Sequence, residues 1–184
     1  TWLSTPLPAH SAVVDFLYHP DAAFWADHHA TTFLTDESRR DYEHHRDARV
    51  LLYDRTGTSC AKLLWEHVGD EVSDPQRYGE LARWADKTDS AAYESVDEAI
   101  DGPAPALEIA RSLALGEGQE YCEFLLRHLR ADSLEKIAAL PEVRSKALEV
   151  RRRTALGMSA VEASIEERDG IVVVDAVQSG DAMI

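Results

Sequence analysis

Three adjacent side chains, those of Asp27, His28 and His29, are the ones in this sequence best suited to chemistry. A carboxylate and two imidazoles can together ligate a metal ion, transfer protons or hold an anionic oxygen. The alternative is a turn that contains ordinary polar residues. The triplet follows a continuously apolar run at residues 22–26, which is typical of a strand buried on both faces of a parallel sheet. We therefore predict that the triplet lies at the carboxyl end of this strand, where open α/β sheets bind ligands.

A second strand is predicted over residues 11–16, with Asp15 near its carboxyl end. The chain between Asp15 and His28 is short for a full crossover helix, so we expect a tight connection between the two strands. A third strand is predicted over residues 49–53. Two strand ends therefore each present an aspartate, Asp15 from one and Asp27 from the other.

The helix predicted over residues 60–68 begins after a hydroxyl-rich turn, with Thr58 or Ser59 as its N-cap. Such a helix start can bind a phosphate through its free N–H groups. Capping explains the same residues equally well, and the glycine and lysine pattern of a Walker motif is absent from the sequence.

A further helix is predicted to begin after Asp74, an N-cap that is followed by proline. If this helix continues, Asp86 and Asp89 share one of its faces, because they are three residues apart. Carboxylates at a helix C-terminus oppose the macrodipole, which favours cations there. The pair is therefore either a polar helix end or a sign of a bound ligand.

The remaining segments are mostly helical in pattern. The polar segment at residues 36–47 indicates an exposed helix or a mobile loop, with His44 and His45 on a solvated face. Capping boxes are predicted at Ser95 and Asp132. His128 is expected to be a core or boundary residue, and the arginines at 151–153 are expected to be solvated. Helices are predicted over 106–115, 120–129, 134–140 and 143–165, and a last strand over 170–175.

The composition is that of a globular and strongly acidic protein. Of the 184 residues, 45% are hydrophobic, and 34 acidic against 19 basic residues give a formal net charge of -15. Such a charge argues against long nucleic acids as partners, although metal ions can supply local positive charge for a small anionic substrate. No apolar run approaches the ~20 residues of a membrane span. Cys60 and Cys122 lie within helical patterns, which favours reduced thiols and a cytoplasmic location.

Together these patterns predict an α/β protein with a mostly parallel sheet flanked by helices. We assign residues 1–100 to an α/β core that carries the site. Residues 101–168 are predicted to form a helical layer and connector, and residues 169–184 the first strand of a second, incomplete domain.

The combination of Asp15, the Asp-His-His triplet and Ala85-Asp86 resembles the DHH phosphoesterase superfamily. By motif, the resemblance covers residues 10–100. It implies hydrolysis of phosphodiester or phosphoanhydride bonds, as in nanoRNases, exonucleases, dinucleotide phosphodiesterases and pyrophosphatases. It also implies a divalent metal cofactor, Mn²⁺ with Mg²⁺ or Co²⁺ as alternatives, a short oligonucleotide or dinucleotide substrate, and compatibility with a homodimer.

The resemblance also assigns roles to individual side chains. Asp15 corresponds to a carboxylate that bridges two metals, and His28 to a ligand of one of them. Asp86 corresponds to a further carboxylate ligand of that ion, with Asp89 as the other candidate. His29 corresponds to the imidazole that faces the substrate, and Asp27 corresponds to the carboxylate that orients the site. The implied reaction is attack by a water that two metals activate.

The sequence also departs from the family pattern. The family has an Asp-x-Asp pair on its first strand and a glycine-rich segment in a second domain, whereas these 184 residues contain no Asp-x-Asp pair and no adjacent glycines. Two interpretations follow. Either the chain is a phosphoesterase seen without its first motif and most of its second domain, or it is a catalytically inactive DHH-like module that binds a nucleotide or a protein partner.

Overall fold

The computed structural model describes residues 2–116 and 118–174. The chain divides into two compact units, Thr1–Ala92 and Tyr93–Ile184. The first unit contains a parallel sheet flanked by helices, and the second is mainly helical. The predicted fold class, an α/β protein with a parallel sheet and helices on it, is therefore confirmed.

The sheet of the first unit has three parallel strands in the order β1-β2-β3. Their bounds are Ala12–Val14, Phe24–Asp27 and Val50–Tyr53. In the register, Trp25 of β2 lies between Val13 of β1 and Leu51 of β3. Because all three strands run the same way, their carboxyl ends lie at one edge of the sheet.

No helix joins β1 to β2, so the predicted tight connection is confirmed. The strand begins at Phe24 rather than at residue 22, because the N–H of Ala22 bonds to the carbonyl of His19 in a turn. The guanidinium of Arg49 donates to the carbonyls of Pro20 and Ala22 and fixes this turn. The connection from β1 to β2, which contains no helix, is thus held by hydrogen bonds to its backbone carbonyls.

The core of this unit is aromatic. Trp25 and Tyr18 are fully buried and meet edge to face, with ring centroids 5.2 Å apart. The indole N–H of Trp25 donates to the carbonyl of Phe16 at 3.0 Å. Three further rings, each with its centroid within 6.0 Å of that of Trp25, complete this aromatic core: Phe33, Tyr42 and Tyr53.

The polar segment between β2 and β3 forms helix α1, Asp36–His45. Of the two predicted states, an exposed helix or a mobile loop, it is the helix, and one face of it is buried. Thr35 and Ser38 form a reciprocal capping box, and Tyr42 enters the aromatic core. His44 is exposed, as predicted.

Helices α2 (Cys60–Val68) and α3 (Pro75–Asp89) follow β3 and pack against each other. Ser59, rather than Thr58, is the N-cap of α2, since its hydroxyl accepts the N–H of Lys62 at 3.1 Å. Asp74 caps α3 as predicted.

In the second unit, five helices precede a two-stranded hairpin among the described residues. The helices are α4 (Val96–Asp101), α5 (Pro105–Leu113), α6 (Gly118–Leu129), α7 (Leu134–Ala138) and α8 (Pro141–Ala163). The hairpin pairs β4 (Glu166–Arg168) with β5 (Ile171–Val173) in antiparallel fashion. The predicted last strand is therefore the second strand of a hairpin, and its final residue, Asp175, lies outside the described residues with all that follows it.

Two predictions about the second unit need correction. The N-cap of α7 is Ser133 rather than Asp132, because the carboxylate of Asp132 pairs with His128 at 2.8 Å. Arg151 is not merely solvated, since its guanidinium pairs with the carboxylates of Asp101 and Glu108. Ser95 caps α4 as predicted.

Across residues 2–116 and 118–174, every helix is too short or too polar to span a lipid bilayer.

Candidate metal centre

Four side chains meet at the carboxyl edge of the sheet. Asp15 follows β1, Asp27 is the last residue of β2, and His28 and His29 come directly after it. One ligand atom from each of the four lies within 4.8 Å of the others. The parallel register produces this cluster, because it places the ends of β1 and β2 side by side.

The carboxylate of Asp15 reaches the cluster from an unusual backbone conformation. Its φ angle of 54° lies in the left-handed region, which aspartate tolerates better than most residues. Its N–H donates to the carbonyl of Ala26 at 2.9 Å and so continues the ladder between β1 and β2. Backbone conformations of this kind concentrate at functional sites, where the surrounding structure enforces them.

The imidazole of His28 is oriented as a metal ligand would be. Its Nδ1 lies 3.2 Å from the carbonyl of Gly57. Because a carbonyl can only accept, Nδ1 carries a proton, and in the neutral ring Nε2 therefore presents a lone pair. Nε2 is buried and has no hydrogen-bond partner among the described residues, although Asp89 Oδ2 lies 3.4 Å and Asp15 Oδ1 3.5 Å away. A buried lone pair between two carboxylates is suited to a cation.

The buried carboxylate of Asp27 organises the triplet. Its Oδ1 accepts the backbone N–H groups of His28 at 2.8 Å and His29 at 3.3 Å, and the imidazole Nδ1 of His29 at 2.7 Å. This last hydrogen bond raises the pKa of His29. Nε2 of the half-exposed His29 ring is then the atom available to a substrate.

The two candidate carboxylates at the end of α3 have different surroundings. Oδ1 of Asp86 accepts the hydroxyls of Thr58 at 2.6 Å and Ser59 at 2.7 Å. Burial alone would raise the pKa of Asp86, but these hydroxyls hold it below its usual value. Asp89, by contrast, is the carboxylate next to His28 Nε2. The resemblance put Asp86 first, and the geometry brings Asp89 closer to the cluster.

The donor set fits a divalent metal ion. Imidazole nitrogen and carboxylate oxygen suit Mn²⁺, Mg²⁺ and other borderline or hard cations, whereas soft ions prefer thiolates. The nearby thiol of Cys60 is a poor ligand, since burial raises its pKa to about 11 and it donates to the carbonyl of Ala26 at 3.3 Å. The orphaned Nε2 of His28 is the observation on which this fit rests.

The cluster borders a cleft of about 330 Å³ between β1, α2 and α3. Asp15, Ser59 and Asp89 are among its polar groups, and Val14 and Leu64 are among its apolar groups. Clefts of this kind, mostly apolar with a few converging polar atoms, are typical of small-molecule sites.

The geometry makes a prediction about the two aspartates. We expect Asp89→Asn to weaken Mn²⁺ binding at least 10-fold, since even outer-shell partners are worth about 10–100-fold in metal affinity. We expect a smaller effect from Asp86→Asn, because the amide oxygen can still accept the hydroxyls of Thr58 and Ser59. Isothermal titration calorimetry with Mn²⁺ measures the affinity of both variants. A larger loss in Asp86→Asn would identify Asp86 as the ligand instead.

Two contributors to the site were missed by the sequence analysis. One is the carbonyl of Gly57, which fixes the tautomer of His28, and the other is the pair of hydroxyls on Asp86. No sequence signal points to a backbone carbonyl. The sequence did predict a helix N-cap at Thr58 or Ser59, but capping accounts for Ser59 alone and not for the hydroxyl of Thr58.

No protein-family model and no curated protein matches this sequence. Among solved structures, the chain is similar to one described as the pGpG-specific phosphodiesterase PggH from Vibrio cholerae, with a TM-score of 0.67 and 22% sequence identity. The match covers 91% of this chain and 53% of that chain, so this chain spans about half the length of the structure that it resembles. At this level of identity, the likeness shows a common fold.

Proposed function

We propose that this chain carries the metal-binding part of a DHH-type phosphodiesterase that hydrolyses dinucleotides or other short oligonucleotides. The observation that carries the proposal is the unpartnered Nε2 of His28 between the carboxylates of Asp15 and Asp89. The fold shared with a phosphodiesterase and the Asp-His-His triplet at a strand end support the same activity.

In this proposal, Asp15, His28 and Asp89 would hold the metal, and Asp27 orients the His29 imidazole and the backbone of His28. Divalent metal ions supply activation of water and stabilise the charge that develops on phosphoryl oxygens. The imidazole of His29 donates its Nδ1 proton to Asp27, so its Nε2 is left to interact with a phosphoryl oxygen. Asp86 anchors the start of α2 to the end of α3 through Thr58 and Ser59.

A short substrate is favoured by charge. The net charge of -15 repels a long polyanion, while a metal centre attracts a single phosphodiester locally. The solved structure that shares the fold is described as specific for pGpG, a dinucleotide. We therefore propose a dinucleotide or a comparably short oligonucleotide as the substrate.

A second candidate is an inactive module that binds a nucleotide without cleaving it. The absence of an Asp-x-Asp pair from these 184 residues favours it, because a second metal would then lack the two carboxylates of that pair. The cluster of Asp15, Asp27, His28 and His29 is compatible with one bound ion and no turnover.

Hydrolysis of a 5′-phosphorylated dinucleotide by the natural full-length protein tests the proposal. With Mn²⁺ present we expect mononucleotide products by chromatography, and we expect EDTA to abolish them. A 20-mer single strand is the control, and its cleavage should be slower. Binding of the dinucleotide without cleavage, with metal bound, would favour the inactive module. Absence of both binding and cleavage would reject both candidates.

A further inference from the structure

A second cavity of the first unit, which we call the α2–α3 groove, lies beside the metal cleft. Its volume is about 320 Å³. It is lined by aromatic, cationic and acidic side chains together with small residues, among them Lys62, Trp65, Glu66, Gly79, Arg83 and Asp86. The three residues proposed above to hold the metal, Asp15, His28 and Asp89, do not line this groove.

The groove and the metal cleft adjoin at one hydrogen-bonded pair of side chains. Ser59 lines the metal cleft, and Asp86 lines the groove. The hydroxyl of Ser59 donates to Asp86 at 2.7 Å. Side chains that line the two cavities are therefore in direct contact.

Trp65 forms a fixed aromatic wall of the groove. A Cβ added at Gly79 of α3 would lie 2.9 Å from Cζ2 of Trp65, and one at Gly69 would lie 2.9 Å from Cδ2. The indole thus occupies the space that side chains at these two positions would need. A half-buried ring held in this way is suited to stacking on a planar ligand.

Two cations line the same groove as this ring, in a molecule that is otherwise strongly acidic. Lys62 and Arg83 are both exposed, and both line the groove. Lys62 interacts electrostatically with Asp86, which also lines the groove. Among the described residues, Arg83 forms a long ion pair with Glu80, at 3.9 Å, which leaves the guanidinium able to bind an anion.

We propose that the α2–α3 groove binds one nucleoside monophosphate unit of the substrate. The base stacks on Trp65, and Lys62 and Arg83 bind the phosphate. The volume of the groove supports binding of a single nucleotide unit, because 320 Å³ is near the lower end of the ~300–1,000 Å³ typical of small-molecule pockets. This inference rests on the proposed function, and it would make the groove the determinant that selects a nucleotide substrate over any other phosphodiester.

Kinetics on two substrates test the role of the groove in the natural full-length protein. We expect the double variant Lys62→Gln/Arg83→Gln to lower kcat/KM for a 5′-phosphorylated dinucleotide at least about 10-fold, in line with the loss of phosphate contacts. Bis(p-nitrophenyl) phosphate, a diester without a base, should be hydrolysed at an unchanged rate. Arg40→Gln, which removes an exposed cation from α1, is the matched control and should leave both rates unchanged.

A binding measurement provides a readout without catalysis. Guanosine 5′-monophosphate, titrated into the metal-free protein, should shift the indole N–H resonance of Trp65 and leave that of the buried Trp25 in place. Trp65→Phe assigns the resonance and retains an aromatic wall. We expect the shift to disappear in Lys62→Gln/Arg83→Gln.

The outcomes separate the groove from the proposed function. If the wild-type protein cleaves both diesters and the double variant loses both equally or neither, the nucleotide subsite is wrong and the proposed function stands. If the wild-type protein cleaves no diester but Trp65 responds to the mononucleotide, the proposed function fails and the groove remains a nucleotide site. An unmoved Trp65 resonance overturns the inference directly.

Discussion

Replacement of His28 by alanine should remove both metal binding and phosphodiester hydrolysis. The imidazole Nε2 is the only nitrogen of the described cluster that is both buried and without a hydrogen-bond partner, so no neighbouring side chain replaces its lone pair. A metal supplies several kcal/mol of charge stabilisation to a phosphoryl transfer, so we expect kcat/KM to fall about 10³-fold. Elemental analysis for manganese and chromatography of the dinucleotide products measure the two losses on one preparation.

His44→Ala is the matched control for this variant. It removes an exposed imidazole from α1, outside the cluster of four ligands, and should change neither the metal content nor the rate. If His28→Ala retained its manganese and its rate, the metal centre would have to lie elsewhere. If it lost manganese while no variant, including the wild type, cleaved the dinucleotide, the inactive module would be the better description.

The position of the Asp-His-His triplet at a strand end could be predicted from sequence because it depends on one local signal. The apolar run at residues 22–26 ends at a polar triplet, and a buried strand must end where its apolar residues end. The structure places Asp27 at the last position of β2 and both histidines after it. The first residue of the strand could not be predicted from the apolar run, since Ala22 is buried in a turn and not in the strand ladder.

The choice between Asp86 and Asp89 could not be made from sequence. Both lie on the last turns of α3, and spacing alone puts them on the same face. The difference arises from tertiary contacts, because the turn before α2 brings two hydroxyls to Asp86, whereas Asp89 reaches the ring of His28. Contacts between residues that are far apart in sequence leave no periodic signal.

The partial burial of α1 could not be predicted from sequence for a similar reason. Its sequence is almost wholly polar, and a single residue, Tyr42, attaches it to the aromatic core. The hydroxyl of Tyr18 adds a hydrogen bond of 2.6 Å to Asp41 on the same helix. A hydrophobic pattern with one member has no period, so sequence analysis left a helix and a loop as equal choices.

The aromatic core leads to the largest expected effect on stability. Trp25 is fully buried, and its ring contacts those of Tyr18, Phe33, Tyr42 and Tyr53. Truncation to alanine removes these contacts and leaves a cavity, which typically costs about 3–5 kcal/mol. Because whole domains are stable by only about 5–15 kcal/mol, Trp25→Ala should leave the first unit close to unfolding.

Tryptophan fluorescence in a urea titration measures the free energy of unfolding of the first unit. All four tryptophans, at positions 2, 25, 65 and 84, lie in the first unit, so the remaining three in Trp25→Ala report on that unit alone.

Trp25→Phe is the conservative variant. It keeps an aromatic ring and loses the N–H that donates to Phe16, so we expect a smaller loss of about 1–2 kcal/mol. Leu34→Ala, at a half-exposed position, is expected to change stability by no more than about 0.5 kcal/mol. If Trp25→Ala were no less stable than Leu34→Ala, the sheet would not depend on its aromatic core. The strand that presents Asp27 would then have to be held by its ladder hydrogen bonds and by the contacts of α2 alone.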